Sequence, residues 1–204
     1  MLVFDPSYQE FNECDFVSSD WEDFYQPTEE ILPKKMPKPL GKDADVKFHV
    51  DASHADNKRD RSSRMGYFGC TNGALCLWKS KRIPTIETSA FGAEFVALKH
   101  AMEANRGLRY KLRMMGVPIN VPSYFYGDNM AVINNVKRPE STLRKKNNAV
   151  CYHAVREAVA KKELLCAHVR SEKNLADLAT KTNHPLKLRE YMVNELLYHV
   201  YDPA

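Results

Sequence analysis

Four acidic residues of this 204-residue chain, Asp51, Glu94, Asp128 and Asp177, stand where a fold alone has little use for a charge. Asp51 and Asp128 close apolar stretches of strand character, Glu94 falls inside an apolar helical run, and Asp177 opens a short segment after the last strand. Carboxylates are seldom placed beside core positions unless they are paired or bind metal. Taken singly, each has an ordinary explanation: Asp51 as a turn residue, Glu94 as a salt-bridged core acid, Asp128 as a helix cap, Asp177 as a charge at a helix start. Capping does not readily account for all four together. Clustered carboxylates repel one another, and a divalent cation removes that penalty. Oxygen-only ligation, with no His or Cys, favours Mg²⁺ or Mn²⁺ over zinc. Two such ions roughly 4 Å apart can activate a water and stabilise a leaving oxygen in phosphodiester hydrolysis. No Ser/His/Asp elbow, Walker loop or glycine-rich dinucleotide loop competes for the role.

The elements that must position these acids follow from the apolar periodicity. In VKFHVDAS, residues 46–53, Val46, Phe48 and Val50 alternate with Lys47, His49 and Asp51, the period of a strand. Asn72-Gly73 between residues 66–71 and 74–80 is a two-residue hairpin signal. Ser89 offers an N-cap to a long helix carrying Phe91, Phe95, Leu98, Met102, Leu108, Leu112 and Met115, which Gly116 can end. A strand within residues 121–129, a short helix over 130–135, a basic loop over 136–148, a helix over 149–161 and a strand over 164–169 follow. Asn174 to Thr180 reads as a helix start. Pro185 opens a final helix with Leu188, Tyr191, Met192 and Leu196 on one face. The order β-β-β-α-β-α-α-β-α predicts a mixed α/β sheet with helices packed on it. Strand ends in such a sheet converge at one edge, where ligands bind.

Charge divides the chain unevenly. Residues 1–33 hold nine of the 26 acidic residues and none of the 30 Lys and Arg, so the remainder carries a formal +13. A polyanionic partner suits that remainder. The Pro-rich stretch 31–42 reads as a linker or strap. The expected division is therefore an acidic, aromatic segment with its connector over 1–44, a main domain over 45–182 and a C-terminal helix over 183–204. No apolar run is long enough to span a membrane, and the start MLVFDPSYQE lacks the pattern of a secretory leader. Five scattered cysteines, Cys14, Cys70, Cys76, Cys151 and Cys166, form no CxxC pair and read as reduced thiols. The expected location is the cytoplasm or the nucleus.

The strings VDASHADNKRDRSSRMGY, LWKSKR, ETSAFGAEFVALK, YGDNMAVI and NLADLATK, in this order, resemble the ribonuclease H domain of copia-type (pseudoviral) LTR retrotransposon polyproteins. The resemblance runs from Trp21 to Lys181, and DWEDFYQPTEEILPKKMPKPLGK resembles the connector that precedes that domain. It implies the ribonuclease H-like fold, a five-stranded mixed sheet with helices on both faces. It also implies a metal-dependent endonuclease that cuts the RNA strand of RNA–DNA hybrids during reverse transcription, using two Mg²⁺ ions or Mn²⁺ in their place. By the same resemblance Asp51, Glu94 and Asp128 ligate the ions directly and Asp177 completes the second site. The implied partners are the hybrid and a reverse transcriptase polymerase domain. Two departures stand out. Relatives carry a mobile histidine before the last aspartate, where this chain has only SEKN, residues 171–174, with His168 nearby in a strand. The chain also has no Tyr-x-Asp-Asp string, and is expected to be a fragment of a polyprotein or a separately encoded remnant.

Hybrids are distinguished by 2′-hydroxyls in a wide minor groove. Candidates for such contacts are Ser53, His54, Ser89 and Asn129. Candidates for phosphate contacts are Arg61, Lys81, Arg82, Lys145, Lys146 and Arg156, the last in a string, CYHAVREAV, that shares the resemblance. Alternative readings are a non-catalytic or domesticated nucleic-acid-binding module of the same fold, a DDE strand transferase or a DEDD-type exonuclease. Residues 1–33 can also be read as a partner-docking strap or as a cover for the basic domain.

Overall fold

The computed structural model describes residues 2–4, 15–26, 29–143, 146–181, 186, 189–191, 193 and 197–199. The main sheet has five strands: β2 (Val46–Ser53), β3 (Arg64–Thr71), β4 (Ala74–Arg82), β5 (Ser123–Gly127) and β6 (Leu164–His168), in the order β4-β3-β2-β5-β6. The first three form an antiparallel meander, and β5 and β6 join in parallel. The hairpin between β3 and β4 turns at Asn72 and Gly73, with φ of 50° and 80°. Both residues are left-handed, as the tight turn requires. Parallel β5 and β6 need crossovers, and α1 (Ala90–Met114), α2 (Met130–Lys137) and α3 (Ala149–Ala160) supply them. Ser89 caps α1 by accepting a hydrogen bond from Gly92 N at 3.2 Å, and Gly116, at φ 78°, lets the chain leave its other end.

Helices α1 to α3 cover the face that carries Val46, Phe48, Val50 and Phe125, where the Phe48 and Phe125 rings stack 4.8 Å apart. The opposite face of β2 carries Lys47, His49 and Asp51. Alternation of polar and apolar residues predicts that such a face meets water, yet every residue of β2 is buried. β2 is the middle strand, and two segments cover its second face. The short helix α4 (Asp177–Thr180) lies over β2 and β3. Phe16 packs edge-on against Tyr124 and Tyr126, and Tyr126 stacks on His49.

Described residues of the N-terminal segment are thus packed into the fold. Trp21 is 3% exposed and joins the core. Glu30 anchors the same segment. Its two oxygens accept bidentate hydrogen bonds from Arg113 (2.6 and 2.7 Å) and from Arg109 (3.2 and 2.7 Å) near the end of α1. The guanidiniums also donate to Val121 O, Ser123 Oγ and Ile119 O, so both buried arginines are well satisfied.

One expectation changes near the C-terminal end of the sequence. Residues 197–199 were expected in the C-terminal helix, but they form a strand, β7 (Leu197–His199), antiparallel to β1 (Leu2–Phe4). Pairing satisfies their backbone groups, and Leu-Tyr-His suits a strand as well as a helix turn. Residues 186, 189–191 and 193 are helical. Pro185, Leu188, Met192 and Leu196 lie outside the described residues, as do Cys14 and Lys145. The other four cysteines are free thiols.

Burial pushes the Glu30 carboxyl up, but the hydrogen bonds and charges of Arg113 and Arg109 outweigh it and hold the group at about 2, against an ordinary 4.5. A depressed carboxyl stabilises the fold above its unfolded value. This contribution is therefore complete above about pH 4.5 and is lost as pH falls towards 2. Glu30→Gln is expected to cost about 3 kcal/mol at neutral pH, because it strands two buried guanidiniums, and to flatten the acid limb of stability. Chemical denaturation across that pH range checks both effects. An unchanged midpoint would remove Glu30 as an anchor.

Candidate active site

Three of the four acids meet at one edge of the sheet. Asp51, on β2, and Asp128, just past β5, leave adjacent parallel strands, and Glu94 enters from the first turns of α1. One carboxylate oxygen from each lies within 4.8 Å of the other two. Asp51 is 2% exposed and Glu94 9%. None of the described ion pairs involves these three residues.

The capping role open to Asp128 is filled by its neighbour. Asn129, not Asp128, caps α2, accepting hydrogen bonds from Ala131 N and Val132 N at 3.1 and 3.3 Å. Asp128 is instead held from outside. Ser171 Oγ donates to its Oδ2 at 2.7 Å, and His168 Nε2 donates to its main-chain oxygen at 3.1 Å. Thr180 Oγ1 donates to Asp51 Oδ2. Asn174, fully buried, donates to Val50 O at 3.0 Å and receives Ala176 N on its own oxygen at 3.2 Å, fixing the turn into α4.

Asp177, the fourth acid, lies beside Asp51 but is not one of the close trio. Its Oδ2 pairs with Lys181 Nζ at 2.6 Å, one helical turn on, and its buried Oδ1 has no hydrogen-bond partner. The position depends on a glycine. A Cβ on Gly66 of β3 would stand 2.5 Å from Ala179 Cβ and 2.9 Å from Thr180 Cγ2, so only glycine lets α4 settle on the sheet.

Burial and crowding set the electrostatics. Asp51 is raised to about 6, first by burial and then by Asp177 and Asp128, against the opposing Thr180 hydrogen bond and Lys181 charge. Glu94 is pushed well above its ordinary range by burial, then by Asp51 and Asp128. Burial also raises Asp177, with Lys181 opposing. A crowded, all-oxygen donor set with an orphaned buried oxygen beside it fits a hard divalent cation, which would discharge the repulsion.

The remaining candidates separate. Ser53 is buried in the wall of a cleft of about 600 Å³ that adjoins the acids through Thr180 and Lys181 and is otherwise lined by the β2–β3 loop, Arg64 and Arg82. His54 Nε2 is 2.9 Å from Glu87 O. The Ser89 and Asn129 oxygens are engaged in capping. Arg61, Lys81, Arg82 and Lys146 are exposed, with Arg82 paired to Asp60 at 3.1 Å. Arg156 is 2% exposed, donates to Pro139 O and Ser141 O, and lies against the Trp21, Tyr25 and Tyr152 rings. An arginine so enclosed braces the basic loop against α3 and the N-terminal strap. Thr180, Lys181 and Ser171 escaped the sequence reading; Thr180 and Lys181 end the string NLADLATK, which marked their segment but not their contacts.

This sheet and its convergent carboxylates make up the ribonuclease H-like fold. The solved N-terminal RNase H domain of a Mycobacterium tuberculosis protein superposes with a TM-score of 0.52 and 12% identity, over 67% of this chain and 91% of that one. LC11-RNase H1, solved in complex with an RNA/DNA hybrid, gives a TM-score of 0.53 and 16% identity, over 66% and 93%. The sequence is homologous to retrovirus-related Pol polyproteins of transposons. It is 27% identical over 133 residues to that of transposon RE1 from Arabidopsis thaliana and 28% identical over 142 residues to that of transposon TNT 1-94 from Nicotiana tabacum. These matches take in 65% and 69% of this chain but only 9% and 10% of the relatives. No family model matches the chain. Among the described residues, no helix is long and apolar enough to cross a membrane.

Two outcomes follow from the crowding. Asp51 binds its proton more tightly folded, at about 6, than free, at 3.8. The metal-free chain therefore loses stability as pH rises from about 4 through 6. Asp51→Asn is expected to stabilise the metal-free chain at neutral pH by about 2 kcal/mol, and Mn²⁺ is expected to raise the melting temperature of the unsubstituted chain but not of this variant. A destabilised variant would overturn this account of the electrostatics. Gly66→Ala is expected to cost about 1–3 kcal/mol and to speed hydrogen exchange at residues 176–181; unchanged exchange there would show that α4 does not need the close approach.

Proposed function

We propose that the chain is a metal-dependent ribonuclease H that hydrolyses the RNA strand of RNA–DNA hybrids, as the nuclease module of a retroelement polyprotein. The convergence of Asp51, Glu94 and Asp128 within 4.8 Å on a ribonuclease H-like sheet carries this reading. Homology to transposon Pol polyproteins supports the retroelement setting. A reverse transcriptase polymerase domain is the proposed neighbour, since the chain matches about a tenth of those relatives.

Asp51, Glu94 and Asp128 would hold one Mg²⁺ or Mn²⁺, and Asp177 with Asp51 would contribute to a second. The ions would supply Lewis acidity that activates a water and stabilises the departing oxygen as the phosphorus–oxygen bond breaks. The protein's share is positioning. Thr180 steers the Asp51 carboxylate, while Ser171 and His168 hold Asp128 from the solvent side. Ser53 and the adjoining cleft would receive the hybrid backbone, and exposed Lys81 and Arg82 would add charge outside the site. Binding governed by such contacts weakens steeply with salt. His168 is half-buried, with Nε2 engaged on Asp128 O, which suits a positioning role better than a mobile one.

An end-labelled RNA–DNA hybrid, incubated with Mg²⁺, Mn²⁺ or EDTA, tests the proposal. Internal RNA cuts that require metal are expected, falling by at least about 10³-fold in Asp51→Asn and Glu94→Gln. Hybrid retention without cleavage under every condition would favour a binding module. Stepwise removal of nucleotides from an end would point to an exonuclease.

A further inference from the structure

The four acids are not equivalent. Asp51, Glu94 and Asp128 converge with no cation among the described ion pairs, whereas Asp177 already holds one. Lys181 Nζ is 2.6 Å from Asp177 Oδ2, on the same face of α4 and its C-cap, and its charge also acts on Asp51 and Glu94. Asp177 is 7% exposed and its Oδ1 is buried without a partner. That oxygen needs a cation or a proton that Lys181, placed on Oδ2, does not supply. The Lys181 side chain is 41% exposed and borders the cleft shared with Ser53 and Thr180, so it has room to swing aside without disturbing the core.

We infer that Lys181 is a tethered competitor for the second divalent ion: it neutralises Asp177 when that ion is absent and must give up Asp177 Oδ2 for the ion to be fully ligated. This rests on the metal-site reading above and adds a regulation of it. The three-carboxylate site is the strong one. The Asp177 site is weak and readily emptied, because an ammonium one helical turn away contends for the same carboxylate. A lysine at this distance repels a divalent ion while attracting the carboxylate that would hold it, and both effects lower occupancy. Lys181 is a positioning residue in this scheme and need not touch the substrate.

Calorimetric titration with Mn²⁺ alone, without nucleic acid, tests the inference. The unsubstituted chain is expected to bind one ion strongly and a second weakly. Lys181→Met and Lys181→Gln should each tighten the second ion by about tenfold and change the first by less than about threefold. Lys181→Arg, which keeps the charge, should leave the second ion weak. Asp177→Asn should remove the second ion in every background. An unchanged or weakened second ion in both uncharged variants, with circular dichroism showing them folded, would overturn the inference while leaving the first site standing. Failure of the unsubstituted chain to bind any Mn²⁺ would instead overturn the metal-site reading itself.

Discussion

Mutual repulsion among carboxylates that the sheet forces together is the constraint around which the rest of the structure is arranged. Asp51 and Asp128 leave neighbouring parallel strands at the same edge, and α1 delivers Glu94 between them. The cost is visible in the raised affinities of Asp51, Glu94 and Asp177 for protons. A fold tolerates that cost only if surrounding contacts over-determine the geometry. Here they do: Thr180 on Asp51, Ser171 and His168 on Asp128, and Asn174 locking the turn that brings α4 over the sheet.

The second face of the sheet is the other requirement. A central strand with Lys47, His49 and Asp51 on one side cannot be left half wet if Asp51 is to lie in a low-dielectric pocket. α4 closes the end that carries the acids, and the N-terminal strap closes the other through Phe16, Tyr124 and Tyr126. His49, buried between them, is depressed to about 4 by that burial and by Lys47, so it enters the core as a neutral ring stacked on Tyr126. The strap is tied by charge as well as by packing: Glu30 on Arg109 and Arg113 at one point, Trp21 over Arg156 at another. Described residues of the acidic, aromatic segment thus run against the basic domain, with Trp21 in its core and Glu30 paired to Arg109 and Arg113.

Much of this was legible from residue order. Period-two alternation marked β2, Asn72-Gly73 marked the hairpin, Ser89 and Gly116 marked the ends of α1, and apolar elements closed by acids marked the site. These signals are local: turn chemistry, capping and periodicity act within a few residues. The burial of the polar face of β2 was not legible, because what covers a face is not encoded in the strand. Nor was the enclosure of Arg156, because its partners come from two segments outside its helix, Pro139 and Ser141 in the basic loop and Trp21 in the N-terminal segment.

The sequence by itself determined the types and order of the elements and the acids available for chemistry, since backbone preference and the carboxyl group belong to the residue. Only the tertiary structure decided which of those acids converge and which already has a counter-charge. Asp51 and Asp128 lie 77 positions apart in the chain, and their proximity depends on strand order. Asp177 and Lys181 lie one helical turn apart, yet their pairing matters because Gly66 lets α4 settle beside Asp51. Distances between remote segments, and the burial that goes with them, set the strength of every charge in the site, and neither is a property of any residue alone.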